Sequence, residues 1–87
     1  MQIIHRNKFN RDLRRMQRRG SDLRLLQDAV ELLISGVEIL LRYADHPLRG
    51  KWQGFRELHI APDWLLIYLR TDYSLELVRT GSHSDLF

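Results

Sequence analysis

Apolar positions recur along this chain with two different periods, and the change of period divides it. Near the start, Phe9, Leu13 and Met16 recur at i, i+4 and i+7, the spacing that lines up one face of a helix. Asn7 or Asn10 is expected to cap that helix. Gly20 interrupts the pattern, and "GSD" offers caps for a second helix. From Leu23 to about Ile34, the residues Leu23, Leu26, Val30 and Leu33 form one stripe, which Leu25, Ala29, Leu32 and Ile34 widen. Gly36 is expected to end it. Two short helices joined by a tight turn read as a helical hairpin, and "MQIIH" ahead of them reads as a short strand.

Beyond the loop "YADHPLRGKWQG" the pattern becomes that of strands. "FRELHI", "DWLLIYLR" and "SLELVRT" are the three runs, with "APD" and "TDYS" as the turns between them. The expected fold is α+β: an N-terminal strand, a two-helix hairpin, then a three-stranded antiparallel meander packed on the helices. At 87 residues this is a single domain spanning 1–87, with no repeats, linkers or low-complexity segments.

Composition changes this picture in two ways. The absence of cysteine excludes a disulfide framework and a thiolate metal site. No signal-peptide-like apolar region opens the chain, and its longest apolar run, "WLLIYL", is too short to cross a bilayer. A cytoplasmic location with no membrane partner is therefore expected. Charge matters by position. Residues 1–24 hold eight basic groups against Asp12 and Asp22, although the whole chain carries only +3. Seven of the eight are arginine, the better fork for phosphate, so one basic face for a polyanion is expected.

The meander also gathers chemistry at one end. His59 and Asp63 bracket the turn "IAPD", and the last strand, antiparallel to its neighbour, brings Arg79 and His83 back to that end. His46 lies in the preceding loop. Histidine suits both proton donation and acceptance near neutrality. A His, Asp and Arg set without cysteine has two readings. One is a metal site, but none of the spacings is a recognised zinc pattern. The other is metal-free cleavage of RNA: a base activates the ribose 2′-hydroxyl, arginine steadies the phosphate and an acid protonates the leaving 5′-oxygen. Taken singly, each residue also has an ordinary structural use; their convergence carries the reading.

The segment "ADHPLRGKWQGFRELHIAPDWLLIYLRTDYSLELVRTGSHSDLF" resembles the C-terminal half of YafQ-type toxins of the RelE/ParE superfamily. The matching motifs are "DHPLRG", "GFRELHIAPDWLLIY" and "RTGSHSDLF", with Ser82 where threonine is commoner. The resemblance covers residues 44–87 strongly and the helical half in layout only. It implies a RelE-like microbial ribonuclease fold and the toxin of a type II toxin–antitoxin system, a ribosome-dependent endoribonuclease that cuts mRNA in the A site without metal or cofactor. Carried over by position, the active residues are His46, His59, Asp63, Arg79, His83 and Phe87, with Trp64 beside them.

On that resemblance Asp63, with His59, is the expected base and Arg79 holds the phosphate. His83 is the expected acid, His46 orients the phosphate, and Phe87 packs against a base. Arg11, Arg14, Arg15, Arg18 and Arg19 are expected to contact the 70S ribosome. The expected regulatory partner is a cognate DinJ-like antitoxin that also binds DNA, and the toxin alone is expected to be a monomer. The alternatives are a ParE-like DNA gyrase inhibitor, which would lack this histidine set, and a non-catalytic ribosome- or RNA-binding module.

Overall fold

The structure, a computed structural model, describes residues 1–35 and 43–87, so the expected helix stop at Gly36 lies outside the described residues. The elements in chain order are β1 (Gln2–His5), α1 (Asn7–Arg18), α2 (Leu23–Ser35) and β2 (His46–Pro47). A 3-10 turn (Gly50–Trp52), β3 (Arg56–Ala61), β4 (Trp64–Arg70), β5 (Ser74–Gly81) and α3 (His83–Leu86) follow. No helix among the described residues is long and apolar enough to cross a membrane.

The strands form one sheet in the order β1-β5-β4-β3-β2. The expected meander is there as β3, β4 and β5, each antiparallel to the next. Two pairings extend it. The short β2 adds antiparallel to β3 through His46↔Glu57, and β1 adds parallel to β5. A two-residue strand leaves almost no period-2 signal, which is why "HP" reads as loop from sequence. β4 lies at the sheet's centre and is buried on both faces, from Trp64 through Tyr68, so its apolar residues run continuously instead of alternating.

The two faces carry separate cores. Phe9, Met16, Leu26, Ala29 and Leu33 of the helices pack on Leu58, Trp64, Leu66, Tyr68, Leu75 and Leu77. Leu65, Ile67, Val78 and Leu86 form the second core, with Leu48, Trp52, Phe55 and Leu69 packed against it. The widened stripe of α2 is only half used, because Leu25 and Ile34 are each 41% exposed. The cap of α1 also differs from expectation. Arg6 occupies the N-cap without a side-chain bond, and Asn7 and Asn10 are already helical. In α2 the expected cap holds: the Arg24 backbone N–H donates to Asp22 Oδ1 at 3.1 Å.

One buried carboxylate joins the helical layer to the end of β5. Asp12 is 4% exposed, on the face of α1 that also buries Phe9 and Met16. Arg79 donates to it from Nε at 2.6 Å and from an Nη at 3.2 Å. Arg15 donates at 2.6 Å and the Thr80 backbone N–H at 3.1 Å. Thr80 in turn donates its hydroxyl to the Leu65 carbonyl and accepts the indole N–H of Trp64. Every oxygen of Asp12 is thus engaged, as a buried charge requires.

Removing this carboxylate leaves two guanidinium groups and a backbone N–H uncompensated. Asp12→Ala is expected to lower unfolding stability by about 3 kcal/mol, with a smaller loss for Asp12→Asn. Urea denaturation followed by circular dichroism measures both, and an unchanged midpoint for Asp12→Ala would show the carboxylate to be dispensable.

Candidate active site

The turn between β3 and β4 builds the first half of the site. Asp63 stands there with φ 54, a left-handed conformation that aspartate tolerates better than most residues. Its Oδ1 accepts from the His83 backbone N–H at 3.0 Å and lies 2.8 Å from His83 Nδ1. The backbone bond from His83, and then its ring, hold the Asp63 carboxyl below the usual carboxylate range. An ionised carboxylate only accepts, so Nδ1 carries the hydrogen of this bond and His83 Nε2 is the nitrogen left to exchange a proton.

The end of β5 builds the second half. Gly81, at φ 153, lies so close to α3 that an added Cβ would sit 2.8 Å from an Asp85 oxygen. Ser82 then caps α3: its hydroxyl accepts from the Asp85 N–H, and the Asp85 carboxylate accepts from the Ser82 N–H. Arg19, at the end of α1, donates to both Asp85 oxygens at 2.6 and 2.9 Å. That pair is the main reason the Asp85 carboxyl stays well below its usual range. A four-residue helix is thereby fixed, and it carries His83 at its start.

The two other histidines stand beside His83. His59 lies 6.0 Å from His83 and 6.0 Å from His46, ring centre to ring centre, so three imidazoles form a row across β2, β3 and α3. His46 Nδ1 donates to the Ala44 carbonyl at 2.8 Å. The loop before it is anchored by Asp45, which accepts from Arg56 and from the Tyr68 hydroxyl. Between His46 and His59 lies Glu57, 4% exposed, with Oε1 3.6 Å from His46 Nε2 and 4.0 Å from His59 Nε2. Sequence reasoning missed Glu57. Its position two residues before His59 on a strand is the available signal, since such residues share a face.

One ligand atom each from His46, Glu57 and His59 lie within 4.8 Å of one another, close enough to hold a metal ion. No spacing along the sequence matches a recognised zinc pattern; strand pairing supplies a proximity that linear spacing does not show.

The remaining expected residues divide. Arg79 is locked onto Asp12 and lines hollows beside α1, and through its pairing with Ile67, itself paired with Glu57, it stands on the sheet face of Glu57. Phe87, 61% exposed, follows α3 and meets Trp52 edge-on at 6.5 Å. Trp64 is a correction. It is 5% exposed, packed in the helix-side core, with its indole N–H bonded to Thr80, so it supports the site from below and offers no ring to a substrate. Among the arginines, Arg11, Arg14 and Arg18 are exposed, whereas Arg15 and Arg19 are committed to Asp12 and Asp85.

Residues 1–87 match the YafQ toxin family, bacterial toxins of type II toxin–antitoxin systems. The chain is 40% identical over 86 residues to the mRNA interferase toxin YafQ of Escherichia coli K12, covering 98% of this chain and 94% of that protein. It superposes on the crystal structure of YafQ from E. coli BL21(DE3) with a TM-score of 0.94 at 38% identity, covering 98% and 96% of the two chains. Against the toxin in the E. coli DinJ–YafQ toxin–antitoxin complex the TM-score is 0.91 at 40% identity, with 98% and 94% covered. A metal-bound toxin from Helicobacter pylori gives 0.92 at 42% identity, with 100% and 99% covered.

Two outcomes follow from the α3 clamp. Gly81→Ala is expected to cost about 1–3 kcal/mol of stability and to displace His83 from Asp63, seen as a shifted His83 ring resonance; an unmoved resonance would contradict the close packing. The depressed Asp85 carboxyl contributes stability that is present above the ordinary aspartate value and is lost as pH falls through its lower folded value. The stability gap between wild type and Asp85→Asn should therefore narrow below about pH 4 in urea titrations. A gap independent of pH would place the stabilisation elsewhere.

Proposed function

The chain belongs to the YafQ family of type II toxin–antitoxin toxins, as an endoribonuclease of the mRNA interferase kind, and we propose that it cuts mRNA in the ribosomal A site by metal-independent acid–base catalysis. The observation that carries this reading is the row of His46, His59 and His83 at 6.0 Å spacing, flanked by the carboxylates of Glu57 and Asp63. Cleavage through the ribose 2′-hydroxyl needs a base, an acid and a cation around one phosphate; the row and its carboxylates supply the first two, and Arg79 at the end of β5 is the cation.

The 2′-oxygen gives up its proton and attacks the adjacent phosphorus, the bond from phosphorus to the 5′-oxygen breaks, and that oxygen takes a proton. His83 Nε2 supplies the proton, because Asp63 holds the opposite nitrogen and fixes the ring. Asp63, with His59 beside it, takes the proton from the 2′-hydroxyl. His46 steadies the phosphate from the far end of the row. Arg79, turned toward α1 by Asp12, acts on the RNA backbone, and the exposed ring of Phe87 stacks on a base. The free arginines Arg11, Arg14 and Arg18 contact ribosomal RNA, where phosphate contacts position the enzyme without reading sequence. A DinJ-like antitoxin, the partner type in the E. coli complex, holds the toxin inactive in the cytoplasm.

Mapping the 5′ ends of one mRNA, with and without programmed ribosomes and with chelator throughout, tests this reading. Cuts are expected only on ribosomes and at codon-spaced positions, undiminished by chelator. His83→Ala should bind ribosomes normally and cut about 10²–10⁴-fold more slowly. Loss of cutting in chelator would assign the His46–Glu57–His59 trio to a metal, and no cutting at all would favour a pure binding module.

A further inference from the structure

His46 is held in place from the opposite face of the sheet. Paired residues share a face. His46 pairs with Glu57 and Glu57 with Ile67, whereas Arg56 pairs with Tyr68. Ile67 belongs to the core on the histidine side and Tyr68 to the core under the helices, so Arg56 and Tyr68 lie on the helical side. Asp45, one residue before His46, points the same way as they do, as alternation along an extended chain requires. There its Oδ1 accepts from the Tyr68 hydroxyl at 2.7 Å, and the Arg56 guanidinium donates to both of its oxygens at 3.3 and 3.2 Å.

The Tyr68 end of this tether is fixed, because its side chain is fully buried on the central strand β4. Burial, and then the Asp45 carboxylate, push its hydroxyl well above the usual phenol range, so it remains a donor near neutrality. The other end carries strain. Ala44, next to Asp45, has φ 47, a left-handed conformation disfavoured for a residue with a Cβ and kept where the surroundings over-determine it. In that conformation the Ala44 carbonyl lies 2.8 Å from His46 Nδ1. A carbonyl only accepts, so Nδ1 carries the hydrogen and Nε2 faces the row, 3.6 Å from Glu57 Oε1. A ring so held takes its second proton at Nε2, the nitrogen from which it can donate to a phosphate oxygen.

We infer that Tyr68, acting through Asp45, is a positioning residue for His46: the tether keeps Ala44 in its left-handed turn, and the Ala44 carbonyl decides which ring nitrogen of His46 carries the hydrogen. The consequence for turnover rests on the nuclease reading, because only a phosphate on the histidine row would feel the state of Nε2. Tyr68 and Asp45 stand behind the sheet and touch no RNA in that reading, so their loss slows the chemical step and leaves substrate binding as it was.

The test reads the tautomer directly, by long-range 1H–15N spectra of the histidine rings in the intact, 15N-labelled protein, recorded where the rings are neutral. Wild-type His46 is expected to show its hydrogen on Nδ1. Tyr68→Phe removes one hydroxyl and keeps the ring in the core; Asp45→Ala removes the tether outright. Both are expected to move His46 toward the form with its hydrogen on Nε2, while Asp45→Asn, which keeps an acceptor for Tyr68, retains more of the wild-type pattern. On programmed ribosomes Tyr68→Phe and Asp45→Ala should lower kcat by up to about 10²-fold with KM nearly unchanged. Leu26→Val, which trims the helix-side core in α2, should alter neither the ring signals nor kcat.

A His46 pattern unchanged in both tether variants would overturn the inference, as would the same change in Leu26→Val, which would mean general loosening of the fold. An altered pattern with kcat at the wild-type level would overturn the positioning role. Cleavage by the same wild-type preparation separates this from the nuclease reading. Cutting together with unmoved ring signals in the tether variants sinks the tether alone. Ring signals that move, in a protein that never cuts, keep the tether and remove the nuclease.

Discussion

The Asp12 carboxylate is the constraint on which the rest of this small fold turns. It is almost fully buried, and it accepts from two guanidinium groups and one backbone amide that come from both the helical layer and the last strand. A charge in that position is tolerated only because all of its acceptor capacity is used. The consequence is geometric. α1 cannot slide along β5 without breaking the set, so the strand end that leads through Thr80 and Gly81 into α3 is fixed relative to the helices. Arg19, at the end of the same helix, repeats the device on Asp85. Two carboxylate–arginine clamps thus hold the short helix that begins with His83.

The central sheet divides labour between its faces. The side toward α1 and α2 is a conventional apolar core, with Trp64 in it for packing and for its bond to Thr80. The opposite side has a smaller core, closed by α3 and by the loop that contributes Leu48, Trp52 and Phe55. On that side stand the histidines and the buried Glu57. Separating the faces lets the helical layer carry stability while the other face stays open, the arrangement that the proposed cleavage of a strand laid across it requires.

Much of this was legible in the sequence, for physical reasons that differ by element. The period of 3.6 in α1 and the unbroken apolar run of β4 gave both elements their type and place, and antiparallel pairing alone implied that Asp63 and His83 would meet. β2 was not legible, since a two-residue strand has no period. Nor was α3, whose single turn is stabilised by the Ser82–Asp85 capping box and by Arg19 and not by an apolar stripe. Glu57 escaped because its role depends on two histidines, one in its own strand and one across a pairing. Arg15 and Arg19 looked like free cations because their partners, Asp12 and Asp85, become neighbours only once the helix packs on β5. Arg79 was placed at the correct end of the sheet, but its tie to Asp12 was not legible, because that carboxylate becomes a neighbour only once α1 packs on β5.

The proposed cleavage has one chemical core: the ribose 2′-oxygen attacks the phosphate, and protein side chains move the protons. End-group analysis of the two fragments from a single cleavage tests it most directly. Attack by the 2′-oxygen leaves a 2′,3′-cyclic phosphate, or the 3′-phosphate it opens to, on the upstream fragment and a free 5′-hydroxyl on the downstream one, and these are the expected ends. A 3′-hydroxyl facing a 5′-phosphate would show that water, not the ribose, attacks the phosphorus, and would contradict it.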